Sequence, residues 1–459
     1  MRKISCEEIS KILEGEMRGE LCGQEITSVV IDSRKVTQNS LFVAMQGERV
    51  DSHRFLEECY EKGAVCCFAS RAYAAEHEIR VPEGKLLFVT EDPVKAMGSL
   101  AAWYLQELRI PVIGVTGSVG KTTTKDMIAA ALSGGLKTFK TPGNLNNQFG
   151  LPLAVFQIEE DIQAAVLEMG MNHFGEIRYL AGIARPKLGV ITNIGVSHIE
   201  YLGSQQGILQ AKTEMLEVMD ENSCVYLCGD DPMLYEYSKT MRIPGVLYGF
   251  SEVCDVRALS WEQQGDLLCI EVDAWGKNIH LETHALGRHM VYAMLAAYAI
   301  GKKLGLDDAA LCRGIASFTP TELRMNIYKN EKYTILDDSY NASPASMKAA
   351  IDVLEAQKGG RHVAILGDMF EMGFYSEKGH REVGVYAAEH GVELLLTAGG
   401  DAHYIAEEAE SRAPGMEIHA FSDLEELKKK LFSLLQTGDI ILVKASRRMA
   451  FDTISQMIR

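Results

Sequence analysis

Residues 114 to 125 read GVTGSVGKTTTK, a spacing of glycines, lysine and threonines suited to phosphate chemistry. An apolar run from Ile110 to Val115 precedes them and predicts a strand, and KTTTKDMIAAAL follows and predicts a helix. A glycine-rich turn between strand and helix points backbone N–H groups and the positive end of the helix dipole at one spot. Gly117, Ser118, Val119 and Gly120 would cradle phosphates, and Lys121 would bring a cation to the β/γ-phosphates. Thr122, followed by Thr123, would place a hydroxyl for Mg²⁺. The strict P-loop spacing wants glycine at position 115, where this chain has Val115. The match is therefore to the shorter form Gly117-x-x-Gly120-Lys121-Thr122.

Three more residues share this neighbourhood. Glu168 closes the apolar run QAAVLEM, where a carboxylate could hold Mg²⁺, a hard cation that takes oxygen ligands. His198 follows TNIGVS at another strand end, and Lys212 lies in a predicted helix, QGILQAKTEMLEVM. Each also has a structural reading: a helix-capping glutamate, a hydrogen-bonded histidine, a solvated lysine. A shared position at strand ends around a phosphate loop favours function for Glu168 and His198. Nothing local does so for Lys212. Near the N-terminus, Asp32-Ser33-Arg34 ends one strand and Gln46-Gly47-Glu48 follows another. Strand ends are where ligands commonly sit in α/β sheets, although solvated turns fit these residues as well.

The elements that must position these groups form three α/β units. In residues 1–108 the strands SVVID, SLFVAM, AVCCFAS and LLFVT alternate with helical stretches, and the helix DPVKAMGSLAAWYLQEL leads onward. Residues 109–318 carry IPVIGV, QAAVLEM, KLGVITNI and CVYLCG, apolar runs that suggest a parallel sheet. After about residue 246 shorter alternating runs suggest antiparallel strands, before the helix HMVYAMLAAYAIGKKLG. In residues 319–459 the parallel-strand candidates are RHVAILGD, ELLLTAG and DIILVKAS.

Composition excludes some partners. With 46 Lys+Arg against 63 Asp+Glu the net charge is −17, which argues against nucleic acid or an anionic membrane. The ten cysteines show no paired metal spacing and read as buried reduced thiols, which fits a cytoplasmic compartment. No signal peptide and no membrane span is apparent.

These motifs, with others along the chain, resemble the Mur ligase family of ATP-dependent amide-forming enzymes in peptidoglycan precursor synthesis. The resemblance rests on DSR at 32–34, LFVAMQGERVDSH at 41–53, TGSVGKTTTK, TPGNLNNQFGLPL at 141–153, LEMGMNHFGEI at 167–177 and TNIGVSHIEYLGS at 192–204. It continues through DDSYNASPASMKAA at 337–350, LGDMFEMG at 366–373 and LVKASRRM at 442–449. The forms DDSYNASP and LGDMFEMG favour the member that adds D-Ala-D-Ala to UDP-N-acetylmuramoyl-tripeptide, and the DNPR sequence of diamino-acid-adding relatives is absent.

The resemblance implies a central P-loop ATPase-like domain (109–318) between a small N-terminal UDP-substrate domain (1–108) and a Rossmann-like C-terminal domain (319–459). The last would bind the dipeptide and close over ATP. It implies two Mg²⁺ ions, one on Thr122 and Glu168, the other on His198 with Lys212 carried as an N6-carboxylysine. Asn144, Asn146 and Asn147 would lie near the substrate, and Asp32, Ser33, Arg34, Gln46, Gly47 and Glu48 would face the UDP-sugar. Asp338, Asn341, Lys444 and Arg447 would face ATP and the incoming amine. ATP would convert the tripeptide carboxylate to an acyl phosphate for the amine to attack, in a protein expected to act as a monomer. Two departures stand out: Met290 and Ala293 occupy positions where relatives often carry an Asn-x-x-Asn pair that reads adenine, and Ser52 replaces a glycine. The other readings are a Mur-type ligase with another amine and a P-loop NTPase switch.

Overall fold

The computed structural model describes residues 1–47 and 50–459. Three α/β units follow one another along the chain, as expected, each built on a largely parallel sheet. The first sheet has the order Glu16–Arg18, Leu86–Thr90, Ala64–Ser70, Ser40–Val43, Ser28–Val30, parallel except at its Glu16–Arg18 edge. Its inner strands are apolar on both faces because both are covered. Leu41, Val43, Cys66, Phe68, Leu86 and Phe88 pack towards the helix Pro93–Leu108, while Phe42, Cys67 and Leu87 pack towards Leu56, Cys59 and Tyr60.

Asp92 starts the long helix by accepting from the Val94 and Lys95 N–H groups, with Pro93 in the first turn, where its missing donor costs nothing. Arg109, at φ 52°, ends it. Its apolar face also meets the central unit, so the two share one continuous core.

The central sheet has nine strands. Six run parallel in the order Thr138–Lys140, Ala164–Glu168, Val112–Thr116, Leu188–Ile191, Cys224–Cys228 and Gly245–Gly249. Val256–Gln264, Leu267–Ala274 and Lys277–His284 extend the sheet, the last two pairings being antiparallel. The chain leaves Val112–Thr116 to build outward on one side of it and later returns to build on the other. The crevice at such a switch point is where α/β sheets bind ligands.

The last sheet runs Asn326–Lys329, Thr334–Asp337, Ile440–Lys444, His362–Gly367, Leu394–Ala398, Glu417–Phe421, with only the first strand antiparallel. The expected helix around Lys212 is α-helical over Gln205–Thr213 and tightens to a 3₁₀ turn at Glu214–Val218. There the buried Glu214 carboxylate turns away to accept from the Gly175 and Arg178 N–H groups at the start of helix Glu176–Ala184.

Candidate active site

The phosphate loop leaves the strand Val112–Thr116 and enters the helix Lys121–Ser133 through Gly120, whose φ of 82° a glycine adopts without penalty. The stretch after the neighbouring strand Leu188–Ile191 braces it. Ser118 N–H donates to the Asn193 carbonyl (3.0 Å) and Val119 N–H to Asn193 Oδ1 (2.9 Å). Thr192 Oγ1 and Asn193 Nδ2 both donate to the Val119 carbonyl, at 2.6 and 2.9 Å. Lys121 folds back over the loop, donating to the Gly117 carbonyl at 2.9 Å. Burial pushes its ammonium below the ordinary lysine value, with Glu168 opposing and Arg324 adding to the shift.

Glu168 pairs in register with Val115, beside the loop. It is 2% exposed; Asn146 Nδ2 donates to its Oε1 at 2.8 Å, and Oε2 has no hydrogen-bond donor among the described residues. The nearest cation is Lys125, 3.7 Å from Oε2 and engaged with the Thr141 carbonyl at 2.9 Å. A buried carboxylate with one free oxygen is a site for a hard cation or a strong donor.

Lys212 is 1% exposed, and no described residue hydrogen-bonds or ion-pairs with its amine. Burial, reinforced by Lys121, pushes its pKa well below the ordinary lysine value. Lys121, near enough to add to that shift, lines the cavity with Glu168 and His198, and Lys212 itself is not part of the lining. His198 has φ 65° and places Nδ1 2.6 Å from Glu371 Oε2 of the last unit, outside hydrogen-bond alignment. Glu371 sits below its ordinary value chiefly because of that imidazole.

All three units meet around one cavity of ≈ 1450 Å³. The first contributes Met45, Gln46 and His53, the central one the phosphate loop, Glu168 and the asparagines 144, 146 and 147, and the last Asp338, Asn341 and Lys444. Lys444, 2% exposed, ion-pairs with Asp338 at 2.5 Å and donates to the Asn341 carbonyl at 2.8 Å. Asn147 is already committed, its Oδ1 accepting from Gly150 N–H at 2.9 Å.

Three family models match in turn: the Mur ligase family catalytic domain over residues 25–112, the Mur ligase middle domain over 115–301, and the Mur ligase glutamate ligase domain over 323–447. A UDP-N-acetylmuramoyl-tripeptide–D-alanyl-D-alanine ligase of Bacillus subtilis is 35% identical over 458 residues, 99% of this chain and 98% of the relative. The chain belongs to the Mur ligase family. Among solved structures, MurF from Acinetobacter baumannii superposes with TM-score 0.89 at 27% identity, over 100% of this chain and 99% of that one. MurF from Thermotoga maritima in complex with ADP gives 0.82 at 28% identity, covering 94% and 96%.

Within the Mur ligase frame, some expected residues stand apart from the cavity. Asp32 caps the turn Ser33–Lys35 and is held bidentately by Arg34, at 2.9 and 2.8 Å, which lowers the Asp32 carboxyl to about 2. This turn lies off the cavity wall, as does Arg447, which is exposed and pairs with Asp452 at 3.4 Å. Glu48 lies outside the described residues. Ser52 suits its place: its hydroxyl accepts from Met45 N–H and donates to the Met45 carbonyl, in a turn with no left-handed φ at that residue. Met290 and Ala293 do line the cavity, beside His289 and Tyr292.

Arg324 belongs to none of the sequence motifs. It sits on the segment joining the last two units, lines the cavity and stacks over Tyr340 at 4.1 Å, and its buried Nε has no partner among the described residues. Thr321, on the same segment, donates to Asp126 of the phosphate helix. An isolated arginine in a linker carries no motif that would mark it.

Proposed function

We infer that this chain is an ATP-dependent ligase that joins D-Ala-D-Ala to UDP-N-acetylmuramoyl-tripeptide and releases ADP and phosphate. The observation that carries this is the single cavity on which a phosphate loop, a buried carboxylate with a free oxygen and an Asp–Lys pair from a third unit converge. A nucleotide switch has no use for the last of these. The likeness to D-alanyl-D-alanine ligases over nearly the whole chain supports the substrate assignment.

Residues 1–108 would hold the UDP end of the acceptor, 109–318 the ATP, and 319–459 the dipeptide. A carboxylate is a poor electrophile, so the tripeptide carboxylate takes the γ-phosphoryl group and becomes an acyl phosphate. Catalysis then rests on positioning and charge stabilisation. Lys121 exchanges its loop carbonyls for phosphate oxygens, and Arg324 has a free Nε to offer the same anion. The dipeptide amine attacks the acyl carbon, and collapse of the tetrahedral intermediate expels phosphate. Asp338, fixed by Lys444, and Asn341 offer acceptors to that amine.

The free Glu168 oxygen and the Thr122 hydroxyl fit one Mg²⁺. His198 and Lys212, the latter as a carbamate, fit a second, because burial drives the lysine pKa down and so favours the uncharged amine that can take up CO₂. When bound, these ions would spread the negative charge of the phosphoryl group in transfer. The His198–Glu371 contact between units supports closure over the acyl phosphate, which keeps water from it.

The test is incubation with ATP, Mg²⁺, UDP-N-acetylmuramoyl-tripeptide and D-Ala-D-Ala. Phosphate release that needs both substrates, with a UDP-pentapeptide product, is expected. ATP turnover independent of substrate, with no new amide, would refute the ligase.

A further inference from the structure

The three outermost strands of the central sheet present a polar face whose composition the ligase reaction does not use. Cross-strand register puts Glu262, Cys269 and Glu282 in one row, and Ser260, Glu271 and His280 in the next. Side chains alternate along a strand, so these residues share a face, while Leu268, Ile270, Val272, Ile279 and Leu281 are buried on the other. Cys269 is partly buried, and His280 and Glu282 are exposed.

One ligand atom each from Cys269, His280 and Glu282 lies within 4.8 Å of the others. His280 Nδ1 meets Glu271 Oε1 at 2.7 Å, which fixes the ring and leaves Nε2 facing Glu282 Oε2 at 3.8 Å. A carboxylate behind a histidine is the usual support of a metal-ligating imidazole. Zn²⁺ bonds of about 2.0–2.3 Å in a tetrahedron put neighbouring ligand atoms roughly 3.3–3.6 Å apart, so the cluster needs only small side-chain adjustments to enclose an ion. Glu262, Glu271 and Glu282 form no ion pair with lysine or arginine among the described residues. The face therefore carries uncompensated negative charge around a thiol and an imidazole.

We propose that Cys269, His280 and Glu282 bind a thiophilic divalent cation of the Zn²⁺ type, with Glu271 orienting His280. The thiol and imidazole select against Mg²⁺, which takes oxygen ligands. The ion clamps Leu267–Ala274 to Lys277–His284 through side chains on the solvent face. Gln263, on the adjoining strand, accepts from Gly287 N–H and donates to the Ala285 carbonyl, so the clamp stiffens the segment leading to Met290 and Ala293 on the cavity wall.

Co²⁺ titration of the full-length, chelator-treated protein tests this. One equivalent should raise a thiolate-to-cobalt absorption in the near ultraviolet, which Zn²⁺ displaces and excess Mg²⁺ does not. Cys269→Ser and His280→Ala should abolish it, Glu271→Gln should weaken Co²⁺ affinity by about tenfold, and Cys22→Ser should leave it intact. Absence of the thiolate band, its survival in Cys269→Ser, or unchanged affinity in Glu271→Gln would overturn the assignment. None of these outcomes depends on ligase activity.

Discussion

Replacing Gly117 with alanine probes how the phosphate loop is held. Gly117 has φ 147°, and a Cβ there would lie 1.8 Å from Thr192 Oγ1 and 3.0 Å from both its Cβ and its nitrogen. The threonine hydroxyl is the group that donates to the Val119 carbonyl at 2.6 Å. The methyl must therefore displace Thr192, at a loss of about 1 kcal/mol for the hydrogen bond. Holding an L-residue at that φ costs roughly another 1–2 kcal/mol. The loop is expected to relieve this strain by giving up the Thr192 brace when empty, so that the cost falls on nucleotide binding, where the cradle must be rebuilt. Gly117→Ala should weaken ADP binding by about 2–3 kcal/mol, roughly 30- to 160-fold. Thr192→Ala alone should cost about 1 kcal/mol. In the double variant the displaced hydroxyl is already gone, so its loss counts once and the combined effect stays near that of Gly117→Ala. Calorimetric titration with ADP, with thermal unfolding as a check on folding, measures all four corners. Full additivity, or a Gly117→Ala protein that binds within about twofold of the parent, would refute the reasoning, because about 1 kcal/mol of coupling is what the contact requires.

Other perturbations test the rest of the site. Arg324→Met should leave unfolding unchanged and lower kcat/KM by about 10²-fold, the scale of one removed charge-stabilising donor, in a coupled ADP-release assay. Lys212→Ala should abolish ligation, and protein stripped of CO₂ should regain activity with bicarbonate; failure of both would remove the carbamate. Because Met290 and Ala293 give the cavity wall no amide to read a base edge, steady-state kcat/KM should favour ATP over GTP by no more than about 10²-fold from this wall. Hydrogen bonds from Lys277 and then Lys302 hold the Asp308 carboxyl below its ordinary 3.8. A depressed folded value means that the stabilisation is present in full above 3.8 and is lost as pH falls from there through the lower folded value. Thermal unfolding of the parent and Asp308→Asn should therefore differ by about 1 kcal/mol at neutral pH and converge in acid.

The residues most legible in the sequence are those whose function needs a local backbone shape. The loop Gly117–Lys121 is marked by glycines between an apolar run and a helix, and Glu168 by its place at the end of a buried strand. The strands Leu86–Thr90 and Ile440–Lys444 announce themselves by unbroken apolar runs, the mark of burial on both faces. The edge strand Glu16–Arg18 does not, because it is three residues long and polar. Thr334–Asp337 is only four residues, though it pairs with Ile440–Lys444 in the last sheet. Arg324 was hidden for a different reason: Leu323 and Met325, at φ 62° and 54°, aim it, and only tertiary packing puts this linker over the loop. Asp32 and Arg34 show the converse, for their conspicuous motif is spent on each other at an exposed turn.

The groups around the loop share a physical property that no motif records: several have hydrogen-bonding capacity that no described residue uses. Among the described residues Glu168 Oε2 and Arg324 Nε are buried without partners, Lys121 satisfies itself on carbonyls of its own loop, and Lys212 is buried with no hydrogen-bond or ion-pair partner. A chain selected only for stability would have filled these positions with apolar side chains or paired them internally, as Glu214 is paired to two backbone N–H groups. These groups come from the strand end beside the loop, the helix Gln205–Thr213 and the linker that carries Arg324, so a charged ligand spanning these elements would engage them together. Their free hydrogen-bonding capacity faces one ligand rather than several.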